Sequence, residues 1–329
     1  MPLVGRPARA GAAIAFGFTM TVCAALPVAA TEEAVEVPGP LAALRGTLTR
    51  PGVASAAVLI IPGSGPTDRD GNNPLGVAAS TYRLLAEGLA AKGVATLRID
   101  KRGMIGSAAA VADPDAVTVS DYAGDVQHWA DLLRAKTGAA CVWLVGHSEG
   151  GLVALSTAQK AEGICGLILV ATPGRPLGQV LRDQLTANPA NAPLLAQAFG
   201  TIASLEGGRR VDDGALHPAL ASLFRPAVQG FLIDAFVLDP SKLLAAWQGP
   251  TLIVQGERDL QVSAADARGL HQAALRSELF LVPDANYVLK TVVSPDRAAN
   301  IATYRDPRLP LAIGIVERIA TFVTAPRAR

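Results

Sequence analysis

The sequence predicts an α/β fold: a mostly parallel sheet with helices on both faces and a helical segment inserted between two core strands. Three observations carry this. Short, continuous apolar runs alternate with stretches of helical periodicity. The runs do not alternate apolar and polar residues, which fits strands buried on both faces. The rhythm stops between Pro173 and Gly249 and then resumes.

The chain has 329 residues. It opens with "MPLVGRPAR", which carries two positive charges. An apolar run, "AGAAIAFGFTMTVCAAL", follows, and then small residues in "PVAATEE". Val28 and Ala30 occupy the −3 and −1 places of a cut after Ala30, so residues 1–30 are expected to be an export signal. The alternative is a membrane anchor, since the run approaches bilayer-spanning length. Pro27 and the small residues favour cleavage, and bulky Val22 argues against a lipid on Cys23. The mature protein is then expected in the periplasm or secreted, with no stable membrane insertion.

Residues 31–172 are expected to form the first part of the core. "LAALRGTLTRP" is expected to be an antiparallel edge hairpin. "AAVLIIPG", "GVATLRID", "CVWLVGHS" and "GLILVATP" are strands. Between them "STYRLLAEGLAAKG", "TVSDYAGDVQHWADLLRAK" and "GGLVALSTAQKAEG" have apolar residues at helical spacing. Residues 173–250 hold weaker helical segments punctuated by Pro, Gly and Asn. The stretch is too long for a loop and predicts a helical cap. Residues 251–329 complete the core, with strands "TLIVQGE" and "ELFLVPD" and a closing helix "PLAIGIVERIATFV".

Formal net charge is +1, and loss of residues 1–30 takes Arg6 and Arg9 with no acid, leaving 27 bases against 28 acids. That balance, with 5% aromatics, gives no sign of a nucleic-acid partner. Cys141 and Cys165 sit at the starts of adjacent strands. Export makes a disulfide possible, but the simplest expectation is two buried thiols acting as small hydrophobes.

"GHSEG", Gly146–Gly150, lies between a strand and a helix, the setting of a nucleophile elbow. Its turn is tight enough to demand small neighbours, which explains Gly146, Gly150 and Gly151. Ser148 is the candidate nucleophile. The helix start beneath it offers N–H groups to a developing oxyanion, and Glu149 is one such donor. His147 is expected to be a structural residue under the elbow. "IIPGSGPTDRDGNN" follows the first long strand, and Ser64 is the candidate second donor. The "DRD" within it is a poor ligand set for a metal and is expected to brace the loop by ion pairs. Asp259, just past a strand in "LIVQGERDLQV", stands where the acid of a triad belongs. A base is then expected in "DANYVLK", and the residue there is Tyr287.

Taken together, "GSGPTDRDGN", "LRIDKRGMIGS", "VGHSEGG", "TLIVQGERDLQV", "DANYVLK" and "DPRLPLAIGIVERIATFV" resemble the α/β-hydrolase superfamily. Within it the chain is similar to bacterial carboxylesterase-like hydrolases of the serine aminopeptidase type, over its whole mature length. The resemblance implies an eight-stranded sheet, a helical cap, no cofactor or metal, and hydrolysis of small acyl esters. It places nucleophile, acid and base at Ser148, Asp259 and Tyr287. Such proteins read N-H-V-L-K where this chain has Asn286-Tyr287-Val288-Leu289-Lys290.

The departure matters chemically. A phenol with a pKa of about 10 is ionised in roughly one molecule per thousand at pH 7. Its single oxygen cannot bond acid and nucleophile through separate atoms as imidazole does. Of the other histidines, His128 and His271 are expected at the surface or in packing, and His217 is the one expected to be able to approach from the cap. Lys290 is the nearby cation that could lower the Tyr287 pKa. The S-x-x-K pattern of tyrosine–lysine hydrolases is absent after Ser148. Three readings follow: an ester hydrolase with a weakened base, a non-catalytic protein that binds ligand in the same pocket, and an exported peptidase or lactonase.

Overall fold

The computed structural model describes residues 1, 2, 5, 30–212, 214 and 216–326. The expected export signal lies almost wholly outside the described residues. No described helix is long and apolar enough to cross a membrane.

One eight-stranded sheet forms the centre, in the order β1-β2-β6-β3-β7-β8-β9-β10. Its strands are β1 (Thr31–Val37), β2 (Leu44–Arg50), β3 (Ala56–Ile61), β6 (Val94–Ile99), β7 (Val142–His147), β8 (Ile164–Val170), β9 (Thr251–Gly256) and β10 (Glu278–Val282). A two-stranded hairpin, β4 (Asn72–Asn73) with β5 (Val77–Ala78), stands apart on the loop after β3. In the main sheet β2 pairs antiparallel with both its neighbours, and all other pairs are parallel.

The six long apolar runs become the six parallel strands. The edge differs from expectation. "LAALRGTLTRP" supplies only β2, and its hairpin partner is the upstream segment Thr31–Val37. That segment carries three glutamates and buries only Val35 and Val37, so it lacks the apolar run that marks the inner strands.

Alternate residues of each inner strand feed two cores. Leu59, Ile61, Leu97 and Leu144 pack with helices α2 (Val119–Thr137), α3 (Glu149–Ala158) and α9 (Ala264–Ala273). Val58, Ile60, Val145 and Val254 pack with α1 (Thr81–Ala90) and α11 (Ile315–Thr324) on the other face. Helix α2 shows why such segments stop and start where they do. A capping box joins Thr118 and Asp121, and Gly138 ends the helix at φ 71°.

Between β8 and β9 lie α4 (Leu177–Ala187), α5 (Leu195–Glu206), α6 (Pro218–Phe224), α7 (Pro226–Phe236) and α8 (Pro240–Ala246). Most of them share a small core of their own, with Ala198, Ile202, Leu205, Phe224 and Phe236. Asp234 accepts from Ser120 Oγ at 3.0 Å, and Arg225 pairs with Asp115, tying these helices to the sheet's own layer. A short helix α10 (Arg297–Ala302) follows β10.

Cys141 and Cys165 form a disulfide, S–S 1.99 Å, which corrects the expectation of two free thiols. Their strands β7 and β8 are neighbours in parallel register, which brings the two Cα atoms to 5.2 Å.

Candidate active site

Ser148 sits between β7 and α3 at φ 54° and ψ −119°, a conformation that costs strain and points the side chain off the sheet. The turn leaves no room for side chains around it. A Cβ on Gly146 would lie 2.3 Å from the Gly150 carbonyl oxygen, and one on Gly150 would lie 2.3 Å from that of Ile61. One on Gly151 would meet Thr172 Oγ1 at 2.0 Å. Ser148 N–H donates to the Val170 carbonyl at 2.8 Å, pinning the elbow to β8.

Ser64 and Glu149 both line a cavity with Ser148. The Gly63 N–H is already committed to the Tyr82 hydroxyl at 3.1 Å. Among the described residues no hydrogen bond occupies the Ser64 N–H, and Glu149 opens α3, where first-turn N–H groups lack helical acceptors. The Glu149 carboxylate accepts from Lys101 Nζ at 2.8 Å, and that ammonium lies 4.8 Å over the Tyr122 ring. No local pattern marks this pair, because Lys101 stands 48 positions before Glu149 and meets it only through the order of β6, β3 and β7.

The "DRD" loop is braced by ions as expected. Arg69 donates to Asp100 at 2.6 Å, Asp70 pairs with Arg98, and Asp68 accepts from the N–H groups of Asp70 and Asn72 at 2.8 Å each. Among the described residues no group of three or more His, Cys, Asp or Glu is arranged to hold a metal.

Asp259 follows β9. Its carboxylate accepts from the N–H groups of Gln261 at 2.7 Å and Val262 at 3.0 Å, and from Gln255 Nε2 at 3.1 Å. Burial nevertheless pushes its pKa up to about 6, against the lowering by these neutral donors, and nearby Asp266 adds to the rise.

Tyr287 follows β10, and its side chain lies close to that of Ser148, with no hydrogen bond between the two among the described residues. Burial raises its pKa above the ordinary phenol value. The neighbouring Ser148 side chain opposes this, and nearby Asp259 adds to the rise. The loop that carries it is held on both sides. Asn286 Nδ2 donates to Thr303 Oγ1 at 2.7 Å and Asn300 Oδ1 at 3.0 Å, while its own Oδ1 accepts from Lys290 N–H at 3.0 Å. Asn300 Nδ2 reaches back to the Arg258 carbonyl at 2.7 Å, beside Asp259. Lys290 Nζ is buried and donates to the Leu309 carbonyl. Burial lowers its pKa to about 8. Lys290 is therefore a brace for the loop, and its ammonium is engaged away from the Tyr287 hydroxyl.

None of the four histidines stands in for an imidazole at position 287. His128 is exposed on α2. His217 is exposed and caps α6, accepting from Ala219 N–H at 3.2 Å. His271 bonds Ser277 Oγ at 2.9 Å. His147 lies beneath the elbow, with Nδ1 2.9 Å from the Tyr82 hydroxyl and Nε2 2.9 Å from the Tyr287 carbonyl oxygen.

Two cavities meet at the site. One, of about 320 Å³, lies under the inserted helices and is lined by Ser148, Leu152, Val180, Leu181, Phe231 and Leu232 among others. The other, of about 280 Å³, lies on the side of Tyr287, His147 and Asn73. Ser64 and Gln261 line both.

The family model for the alpha/beta hydrolase family matches residues 58–299. Esterase EstD of Thermotoga maritima is 28% identical over 214 residues, which is 64% of this chain and 48% of that protein. The chain thus spans about half the length of this curated relative. Among solved structures, the alpha/beta hydrolase GrgF from Penicillium sp. sh18 superposes with a TM-score of 0.54 at 18% identity, over 78% of this chain and 91% of that one. A thermophilic esterase from Thermogutta terrifontis superposes with a TM-score of 0.51 at 21% identity, over 78% and 92%. At such identities these structures speak for the fold alone. The matched span runs from β3 through the elbow and both later loops into α10, and on that match the chain belongs to the alpha/beta hydrolase family.

Proposed function

We propose that the protein is a serine ester hydrolase of small acyl esters, exported to the periplasm or beyond, whose base step is weakened by Tyr287. The observation that carries the reading is Ser148, strained at the mouth of an apolar cavity, with two uncommitted N–H groups beside it. Ser148 Oγ attacks the ester carbonyl. The N–H groups of Ser64 and Glu149 take the charge that develops on the carbonyl oxygen. The alcohol then leaves, and water releases the acyl group from Ser148.

Each half needs a proton accepted and returned. Neutral Tyr287 holds its own proton, so it is a poor base for Ser148. Asp259 keeps its place with no imidazole to orient. Removing the base of such a site costs up to roughly 10⁶ in rate, and the oxyanion donors with binding retain about 10³–10⁴ over water. The expected activity is low and dependent on Ser148. EstD, named as an esterase, supports the reaction class, and the disulfide supports an oxidising compartment. Residues 31–172 and 251–329 act as the hydrolase core, and 173–250 act as the cap that shapes the acyl pocket.

One observation favours a second reading, ligand capture without turnover: a buried phenol stands where a base is needed. Hydrolysis of p-nitrophenyl acetate and butyrate by the protein and by Ser148→Ala separates the two. A slow rate that disappears in Ser148→Ala supports the hydrolase. Equal rates in both proteins, with ligand still bound, support capture.

A further inference from the structure

The bonds around His147 have a single consistent direction. The Tyr287 carbonyl oxygen only accepts, so His147 Nε2 carries the proton and donates to it at 2.9 Å. Nδ1 is then an acceptor, and the Tyr82 hydroxyl donates to it at 2.9 Å. The Tyr82 oxygen in turn accepts from Gly63 N–H at 3.1 Å. The result is one relay, Gly63 to Tyr82 to His147 to Tyr287, with every donor and acceptor used. Burial pulls His147 to a pKa of about 4, so the ring stays neutral and the relay keeps its direction at ordinary pH.

The relay joins three segments that the sheet separates. Gly63 precedes Ser64 in the loop after β3, His147 precedes Ser148, and Tyr287 follows β10, which lies three strands from β7. Helix α1 supplies the anchor. Thr81 Oγ1 donates to the Val288 carbonyl at 3.0 Å, so consecutive residues of α1 secure consecutive carbonyls of the base loop, one directly and one through His147. The grip is on backbone atoms and does not depend on the side chain at 287.

We propose that Tyr82 and His147 are positioning residues of the acyl-transfer site, holding the backbone of residue 287 and the Gly63–Ser64 loop in register with Ser148. A histidine that merely fills the core would be satisfied by any partners. This one links the oxyanion loop to the base loop and bypasses the reacting atoms. The proposal rests on the hydrolase reading above.

The test uses the Tyr287→His protein, in which a base is present. Into it are placed Tyr82→Phe, His147→Asn and His147→Gln, and kcat, KM and melting temperature are measured for a p-nitrophenyl ester. Glutamine reaches the Nε2 position and keeps a donor for the 287 carbonyl; asparagine does not. Misplacement of the base by about 1 Å costs on the order of 10²-fold. The expected result is a kcat loss of about 30- to 100-fold for His147→Asn and about 10-fold for Tyr82→Phe, with KM little changed, and recovery to within about 5-fold for His147→Gln. If folded His147→Asn and His147→Gln both keep the kcat of Tyr287→His, the proposal is wrong and the hydrolase reading stands. If Tyr287→His itself shows no Ser148-dependent turnover, the hydrolase reading has failed and the positioning proposal falls with it.

Discussion

Replacing Tyr287 by histidine is expected to raise activity by about 10³-fold or more, and the size follows from proton occupancy. A phenol of pKa about 10 is in its basic form in roughly one molecule per thousand at pH 7, whereas an imidazole of pKa about 6.5 is mostly basic there. Burial and Asp259 push Tyr287 above the ordinary value, so its basic form is rarer still. At 1.36 kcal/mol per decade a thousandfold is about 4 kcal/mol of barrier. The structure lets the new side chain be used. Residue 287 already lies within reach of Ser148, and its loop is fixed by Asn286, Lys290 and the bonds to its carbonyls. The assay is initial-rate hydrolysis of p-nitrophenyl butyrate from pH 5 to 9. Tyr287→His should gain an ascending limb near pH 6–7, since the imidazole must be unprotonated to accept the serine proton. A parent protein that is already fast, or a gain below about tenfold, would refute the reasoning and point to a base outside position 287.

Other outcomes follow from the same contacts. Asp259 has its folded pKa raised to about 6 against about 3.9 in an unfolded chain, so between those values the folded state holds more protons. Its contribution to stability is therefore unfavourable above pH 6 and fades as pH falls toward 4, and Asp259→Asn should stabilise by about 2 kcal/mol at pH 8 and little at pH 4, read by urea melts. Lys101→Met strands the Glu149 carboxylate in a site where its partner is 3% exposed, and a loss of about 3 kcal/mol is expected, much of it recovered in the double variant with Glu149→Gln. The Cys141–Cys165 bridge closes a loop with a sequence separation of 24, for which chain entropy gives about 3 kcal/mol; melting with and without a thiol reductant reads it. An unchanged melting temperature on full reduction would contradict that figure.

Much of the architecture was visible in the sequence because its signals are local. Buried parallel strands write continuous apolar runs, and all six were read correctly. The elbow wrote its own glycines, and the structure shows atoms at about 2 Å from any added Cβ. The positions of Asp259 and Tyr287 followed from strand ends. What stayed hidden depends on distant partners or on weak patterns. Strand β1 carries three glutamates among small residues and has a sheet neighbour on one side only. Tyr82 reads as one apolar residue of a helix, and nothing local says that its hydroxyl meets a histidine 65 positions later. Lys101 and Glu149 meet only once three strands are ordered. The disulfide needed the register of β7 against β8, which spacing alone does not fix.

The division of the sheet has a consequence for when the site can exist. Ser64 and Ser148 come from the first half of the chain, while Asp259 and Tyr287 follow β9 and β10, after more than seventy residues of inserted helices. Strands β9 and β10 add to an edge already laid down by β8, and Arg258 N–H to the Ala285 carbonyl at 2.9 Å joins their loops. A growing chain thus carries the elbow's serine long before the residues that face it are made. Contacts of such sequence separation form slowly. Any chain released or cleaved before β9 lacks both later residues, so a shortened product retains the elbow's sequence and none of the opposing loops.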